Sequence, residues 1–200
     1  MTLLPHALVW RRTDTTGGEY AGYDDRDGLT AHGYAFAAAP VAYACRYELS
    51  ADSRWASSRL DVTVEGPGFL RTLKMERASG RWRITTSERG NLNAVLPTAP
   101  LAGTEEPERL ADALDVDLYA SPLTNTLPIR RLNLLGRPAG TSSTITAAWV
   151  LLPSLAVVPS EQTYTVLGDG QIRYASGTFS ADLTLDEGGY VVTYPGLADR

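Results

Sequence analysis

Asp115 and Asp117 carry the strongest hint of chemistry in this 200-residue sequence. They stand two apart in a segment, DVDL, that reads as a strand, where side chains at i and i+2 leave the same face. Two carboxylates so placed hold a divalent cation, share a proton in acid/base work, or pair with arginine, and Arg130 and Arg131 follow closely enough for a neighbouring strand to present one of them. Thr124, Asn125 and Thr126 form a polar cluster in SPLTNTLP, where Pro122 and Pro128 predict extended or turning backbone rather than helix. These amide and hydroxyl groups either satisfy the local backbone or line a polar pocket for a hydroxyl-rich head group.

Nucleophilic catalysis has little to draw on. The two histidines are His6, beside Pro5, and His32, mid-strand in LTAHGYAF, and no serine sits in a nucleophile-elbow glycine pattern. Cys45, the single cysteine, falls in the alternating AYACRYEL and reads as a small apolar core residue. A lone cysteine excludes an internal disulfide framework and a thiolate-rich zinc site, and fits a reducing compartment. No cofactor or metal is expected.

Charge and hydropathy narrow the partners. The net charge of −5 is spread along the chain without a basic block, so nucleic acid is not an expected partner. Lys74 is the one lysine among 18 basic residues, a bias that carries no mechanism. The opening MTLLPHALVWRR lacks a basic n-region and is a poor secretory signal, and the longest later apolar run, Ala147 to Leu152, stops at Pro153, so membrane insertion is not expected. The location these features predict is cytoplasmic.

The elements that must position the polar residues are strands. Leu60, Val62 and Val64 alternate with Asp61, Thr63 and Glu65, and Phe179, Ala181, Leu183 and Leu185 alternate with Ser180, Asp182, Thr184 and Asp186. Further strands are expected at 8–12, 29–37, 41–50, 69–77, 81–87, 129–134, 144–152, 163–167, 171–175 and 190–194. Turn residues such as Asp27-Gly28, Gly168-Asp169-Gly170 and Glu187-Gly188-Gly189 separate them. About a dozen strands joined by tight turns predict a mainly all-β, single-domain protein spanning residues 1–200, with a curved antiparallel sheet and no βαβ crossover. Residues 104–113 are the exception: Thr104, Glu105, Glu106 and Pro107 suit the start of one short helix or loop insertion. Ten tyrosines, with Trp10, Trp55, Trp82 and Trp149, supply rings with polar tips that suit a core or an amphipathic ligand alike.

The stretch DVDLYASPLTNTLPIRRLNL (115–134) resembles the central motif of the family described as "Putative glycolipid-binding". Supporting likeness comes from the early tryptophan with Gly18-Glu19, from YACRYELSADSRW (43–55), GRWRI (80–84), AAWVLLPSL (147–155) and the C-terminal RYASGTFSADLTLDEGGYVVTYPGL. The resemblance implies a half-barrel or open barrel, similar in shape to bacterial carriers of lipoproteins and lipids, with an amphiphilic small molecule such as a glycolipid in the concavity. Ala113-Leu114 replaces a Gly-Cys-like pair of that pattern, which predicts an altered rim. Carried over residue by residue, the resemblance makes Glu19, Asp115, Asp117, Thr124, Asn125, Thr126, Arg130 and Arg131 the candidate ligand-binding residues, or equally a network that closes the barrel. The arginines would pair with an anionic head group. A non-enzymatic binder is the leading expectation. The alternatives are a hydrolase acting on a glycan or lipid through Asp115, Asp117 or Glu19, and an interaction scaffold with a convex apolar patch and no pocket.

Overall fold

Alternation along the sequence becomes alternation across a sheet. In β4 (Tyr43–Ala51), Tyr43, Cys45, Tyr47 and Leu49 are buried while the residues between them face water, and β5 (Ser57–Gly66) buries Leu60, Val62 and Val64 in the same way. The computed structural model describes residues 4–200, so the first three residues of the stretch read above as a poor secretory signal lie outside the described residues. The other strands are β1 (His6–Arg12), β2 (Gly17–Asp24), β3 (Leu29–Ala37), β6 (Phe69–Ala78), β7 (Arg81–Gly90), β8 (Asp115–Leu118), β9 (Ser142–Val150), β10 (Val157–Gly168), β11 (Gln171–Ser176), β12 (Phe179–Leu185), β13 (Val191–Tyr194) and β14 (Ala198–Asp199). The expected strands, apart from 129–134, appear within about three residues of their expected limits, except that β10 starts at Val157, well before the expected residue 163. β2 and β14 were not foreseen, because the glycines of GGEYAGYD and the brevity of the last strand hide the alternation.

All 14 strands form one curved sheet in the order β7-β6-β5-β4-β3-β2-β1-β14-β13-β12-β11-β10-β9-β8. Two meanders therefore run outward from a central seam where β1 pairs with β14 at Arg11↔Asp199 and Arg12↔Ala198. That seam is short. It is reinforced by Trp10, fully buried, whose indole Nε1 donates to the Val191 carbonyl of β13 at 2.8 Å. The sheet is an open half-barrel: β7 and β8 end it and do not pair with each other.

Three expectations need correction. SPLTNTLP is not extended; Pro122–Arg131 is an α-helix, α1, and it also occupies the start of the strand expected at 129–134, whose remainder enters a 3-10 turn at Leu134–Gly136. Proline at the first helical position is pre-set for a helix, and Arg130 and Arg131 in the last turn complement its dipole. Pro128 withholds one backbone bond, a cost that burial overrides: every residue from Pro122 to Ile129 is buried. Nor is the crossover absent, since β8 pairs with β9 in parallel and α1 lies between them. At 104–113, where one short helix or loop was expected, a loop carries a single 3-10 turn, Pro107–Leu110, with the Thr104 hydroxyl accepting from the Glu106 N–H at 3.3 Å.

Helix α1 lies in the concavity. Its side chains and N-cap reach Glu19 of β2 and Tyr164 of β10, strands on opposite sides of the seam, and a helix can touch both wings only from the concave side. The open side is bridged by isolated backbone and side-chain hydrogen bonds instead of a ladder. Ser57 N–H donates to the Leu114 carbonyl at 2.8 Å, the Ser57 hydroxyl accepts from Val116 N–H at 3.1 Å, and the Trp82 indole donates to the Ala113 carbonyl at 2.9 Å.

Arg71 of β6 is the central tie, with 1% of its surface exposed. Its guanidinium donates to the carbonyls of Ser154 (2.8 Å) and Pro100 (3.1 Å), to the Glu88 carboxylate (3.1 Å) and to Asn93 Oδ1 (3.3 Å). Arg71→Met keeps the stem and removes the fork, so we expect a loss of roughly 2–4 kcal/mol in urea unfolding, and Arg71→Lys recovers little of it because a point charge cannot serve four acceptors.

Candidate functional site

Strand β8 and helix α1 bring most of the predicted polar residues together, but for three different purposes. Asp115, buried, receives Arg131 bidentately, with Nε 3.0 Å and Nη2 2.5 Å from its two oxygens. Burial pushes its carboxyl up and the Arg131 hydrogen bonds and charge oppose the shift. This pair ties the end of α1 back to β8, so Asp115 is not free to act with Asp117 as an acid/base couple.

Glu19 is sealed beneath the helix start. One carboxylate oxygen accepts from Tyr47 Oη at 2.5 Å and from the Ser121 hydroxyl at 2.6 Å, while Oε2 is buried without a partner. Tyr47 lies two strands from Glu19 and crosses β3 at Gly33, where a Cβ would sit 2.1 Å from the tyrosine ring. Only glycine permits that approach. Burial pushes the Glu19 carboxyl up to about 7 against the hydrogen bonds from Ser121 and Tyr47 and the charge of Arg12.

Asp117 points elsewhere. Its Oδ2 accepts from Gln162 Nε2 at 2.6 Å and its Oδ1 from the Thr124 hydroxyl at 3.2 Å. Gln162 Oε1 accepts from Tyr164 Oη (3.1 Å), which accepts from Asn125 Nδ2 (3.2 Å), giving a continuous buried chain from β8 through β10 to the helix. Burial pushes Asp117 up to about 6; Gln162 and Thr124 oppose the shift and Asp115 adds to it.

Asp117 and Asn125 open onto a cleft of about 600 Å³. Its walls carry the rings of Tyr119, Trp149, Tyr174, Phe179 and Tyr194, with Ser121, Ser160 and Ser176 between them. Tyr174, Phe179 and Tyr194 form a triangle with centroids 6.1–6.3 Å apart, and Tyr119 and Trp149 form a second pair at 6.3 Å. A concave site of this size with rings and a few convergent polar groups has the make-up of a small-molecule pocket. Another hollow, about 570 Å³ beside Phe36, Tyr43 and Phe69, contains none of the predicted residues.

Of the eight candidates, Asp117 and Asn125 line the cleft, Thr124 bonds Asp117, and Glu19 lies behind Ser121. Arg130 stands away from it, stacked over Trp55 at 4.3 Å and donating to the Gly188 carbonyl at 2.7 Å. Thr126 is fully buried, its hydroxyl unpartnered. His32 lies between Tyr20 and Tyr34 on the outer face, and Cys45 is core, its thiol pushed up by burial. Sequence reasoning missed Tyr119, Ser121, Tyr174, Phe179 and Tyr194. Their signal lies in pairing, which a linear reading lacks: Asp117 stands opposite Trp149 across the parallel pair β8/β9.

An open, mainly antiparallel half-barrel around a buried helix, with an aromatic cleft whose Asp117 has no cationic partner among the described residues, is the architecture that the comparisons with known proteins meet. The chain belongs to the family described as "Putative glycolipid-binding", which it matches over residues 7–200. It is also similar to the crystal structure of a DUF1089 family protein from Pseudomonas aeruginosa, with 26% identity, a TM-score of 0.71 and 100% of each chain covered. No curated protein matches the sequence.

The raised carboxyls of Glu19 and Asp117 have a direct consequence for stability. Each folded-state pKa lies above its unfolded value, so the fold binds more protons than the unfolded chain between about pH 4 and 7, and stability falls as pH rises through that window. For Glu19, a rise from 4.5 to about 7 corresponds to about 3 kcal/mol, fully present below the lower value and lost above the upper. Urea unfolding at pH 4.5 and 8 is expected to show Glu19→Gln with a smaller decline than the parent protein by about this amount.

Proposed function

We propose that the protein is a non-enzymatic binder of a glycolipid or similar amphiphile, acting as a single β domain, with the head group in the aromatic cleft over α1. The observation that carries this reading is the cleft itself: rings for apolar surface and sugar faces, with Asp117, Asn125 and Ser121 as hydrogen-bonding floor. Membership of the family named for glycolipid binding supports the ligand class. Asp117 and Asn125 would meet the ligand, Thr124 and Gln162 would hold Asp117 in place, and Glu19 would fix the Ser121 hydroxyl. Arg130, Arg131 and Asp115 take the barrel-closing role, and Thr126, its hydroxyl unpartnered, serves in packing. The anion-pairing role considered for the arginines has no support, because Arg131 is spent on Asp115 and Arg130 on Trp55 and Gly188. A hydrolase reading lacks a second free carboxyl beside Asp117, since Asp14 is held by Arg12 at 2.5 and 2.7 Å.

Phe179 is 48% exposed at the mouth of the cleft, so its removal leaves the core intact. Calorimetric titration with octyl glucoside below its micelle concentration is expected to give saturable binding, weakened about tenfold or more by Phe179→Ala through lost apolar contact. No saturable heat with folded parent protein would count against the reading.

A further inference from the structure

The charge of the cleft is as distinctive as its shape. Among the described residues lining it there is no arginine or lysine, and two are aspartates. Asp14 has its cation in Arg12, and Asp115 behind the wall has its cation in Arg131. Asp117 has none: its partners are the neutral Gln162 and Thr124. A carboxylate withdrawn from water without a cation is under-compensated, and amide and hydroxyl bonds replace only part of its hydration. The rings add to the asymmetry, since the faces of tyrosine, tryptophan and phenylalanine present negative potential to whatever enters. Tyr174 and Tyr194 line the same cleft as Asp117, and their phenols are raised chiefly by burial, with Asp117 contributing to both shifts.

We propose that the cleft selects an amphiphile whose head group is positively charged, an amine or ammonium seated on Asp117 and surrounded by the rings of Tyr174, Phe179 and Tyr194. The proposal rests on the reading of the cleft as the ligand site and specifies its ligand class. A protonated amine supplies the missing counter-charge and a charge-assisted hydrogen bond, and gains from the ring faces what a neutral sugar hydroxyl does not. An anionic head meets Asp117 with like charge. An amino sugar unites this preference with a glycolipid ligand; a simple alkylamine has the same chemistry without the sugar.

The preference depends on the ionised carboxylate. The groups around Asp117 are Asp115 on its own strand with Arg131 paired to it, Tyr164 and Gln162 from β10, Tyr174 from β11, Tyr194 from β13, and Thr124 and Asn125 from α1. Asp14, with Arg12, lines the same cleft, and Glu19 stands behind Ser121. With Asp117 titrating at about 6, affinity for a cationic head rises from pH 5 to pH 7.

Four probes with one chain length test this at pH 7, each below its micelle concentration: octyl glucoside, octyl 2-amino-2-deoxyglucoside, octylammonium and octyl sulfate. At least one amine-bearing probe is expected to bind about tenfold tighter than octyl glucoside, with octyl sulfate weakest. That advantage should vanish in Asp117→Asn and shrink at pH 5, the latter comparison needing no variant. A tighter amino sugar alone points to a glycolipid; an equally tight octylammonium points to a simple amine. If octyl glucoside binds as well as both amines, or the advantage survives Asp117→Asn, the charge proposal is overturned and the cleft reading stands. If no octyl compound binds, both fall.

Discussion

Burying a helix that carries Thr124, Asn125 and Thr126 on its central turn is the constraint around which this molecule is built. Polar side chains removed from water must find partners or cost free energy comparable to a whole hydrogen bond each. The sheet supplies most of those partners from both wings, Tyr164 of β10 for Asn125, Asp117 of β8 for Thr124 and Glu19 of β2 for the Ser121 cap, and leaves the Thr126 hydroxyl without one. Each bond pulls a distant strand towards the same ten-residue helix, so the helix organises the curvature of the sheet as much as it fills the hollow. Because the two wings meet through only a short seam at β1 and β14, this shared attachment matters more than it would in a closed barrel.

The same constraint creates the site. Satisfying Asp117 with Gln162 and Thr124, and not with an arginine, leaves a carboxyl that burial pushes up to about 6 at the foot of a ring-lined cleft. Asp115, two residues earlier on the same face, receives the opposite treatment and serves only to clamp the helix end through Arg131. Two carboxylates with one sequence spacing thus diverge in role according to which side chain of α1 reaches them. Glu19 adds a third environment, buried with an orphan oxygen, and acts through the Ser121 hydroxyl.

Much of the sheet was legible because period-two alternation is enforced residue by residue wherever one face is buried, as in β3 and β4. The segment that mattered most was not. Helices announce themselves through a 3.6-residue apolar stripe, and one buried on every face, with Leu123, Leu127 and Ile129 in apolar contacts and Thr124 and Asn125 in polar ones, has no polar face to set the stripe off; its two prolines then argue for extended chain, although Pro122 sits where a helix accepts it. The polar cluster 115–131 was visible as a motif, yet its division into clamp, chain and cleft depends on strands between 16 and 102 residues away in sequence. The cleft rings were hidden for the same reason: nothing in the linear order places Trp149 beside Asp117.

The claim that this cleft is a ligand site is tested most directly by native mass spectrometry of the protein purified from its own host, with organic extraction of whatever accompanies it. The account predicts a stoichiometric amphiphile on the parent protein that is lost when Asp117→Asn and Phe179→Ala are combined. A bare protein mass that takes up nothing from a total lipid extract would contradict it, and would leave the buried network as the means by which an open barrel holds its helix.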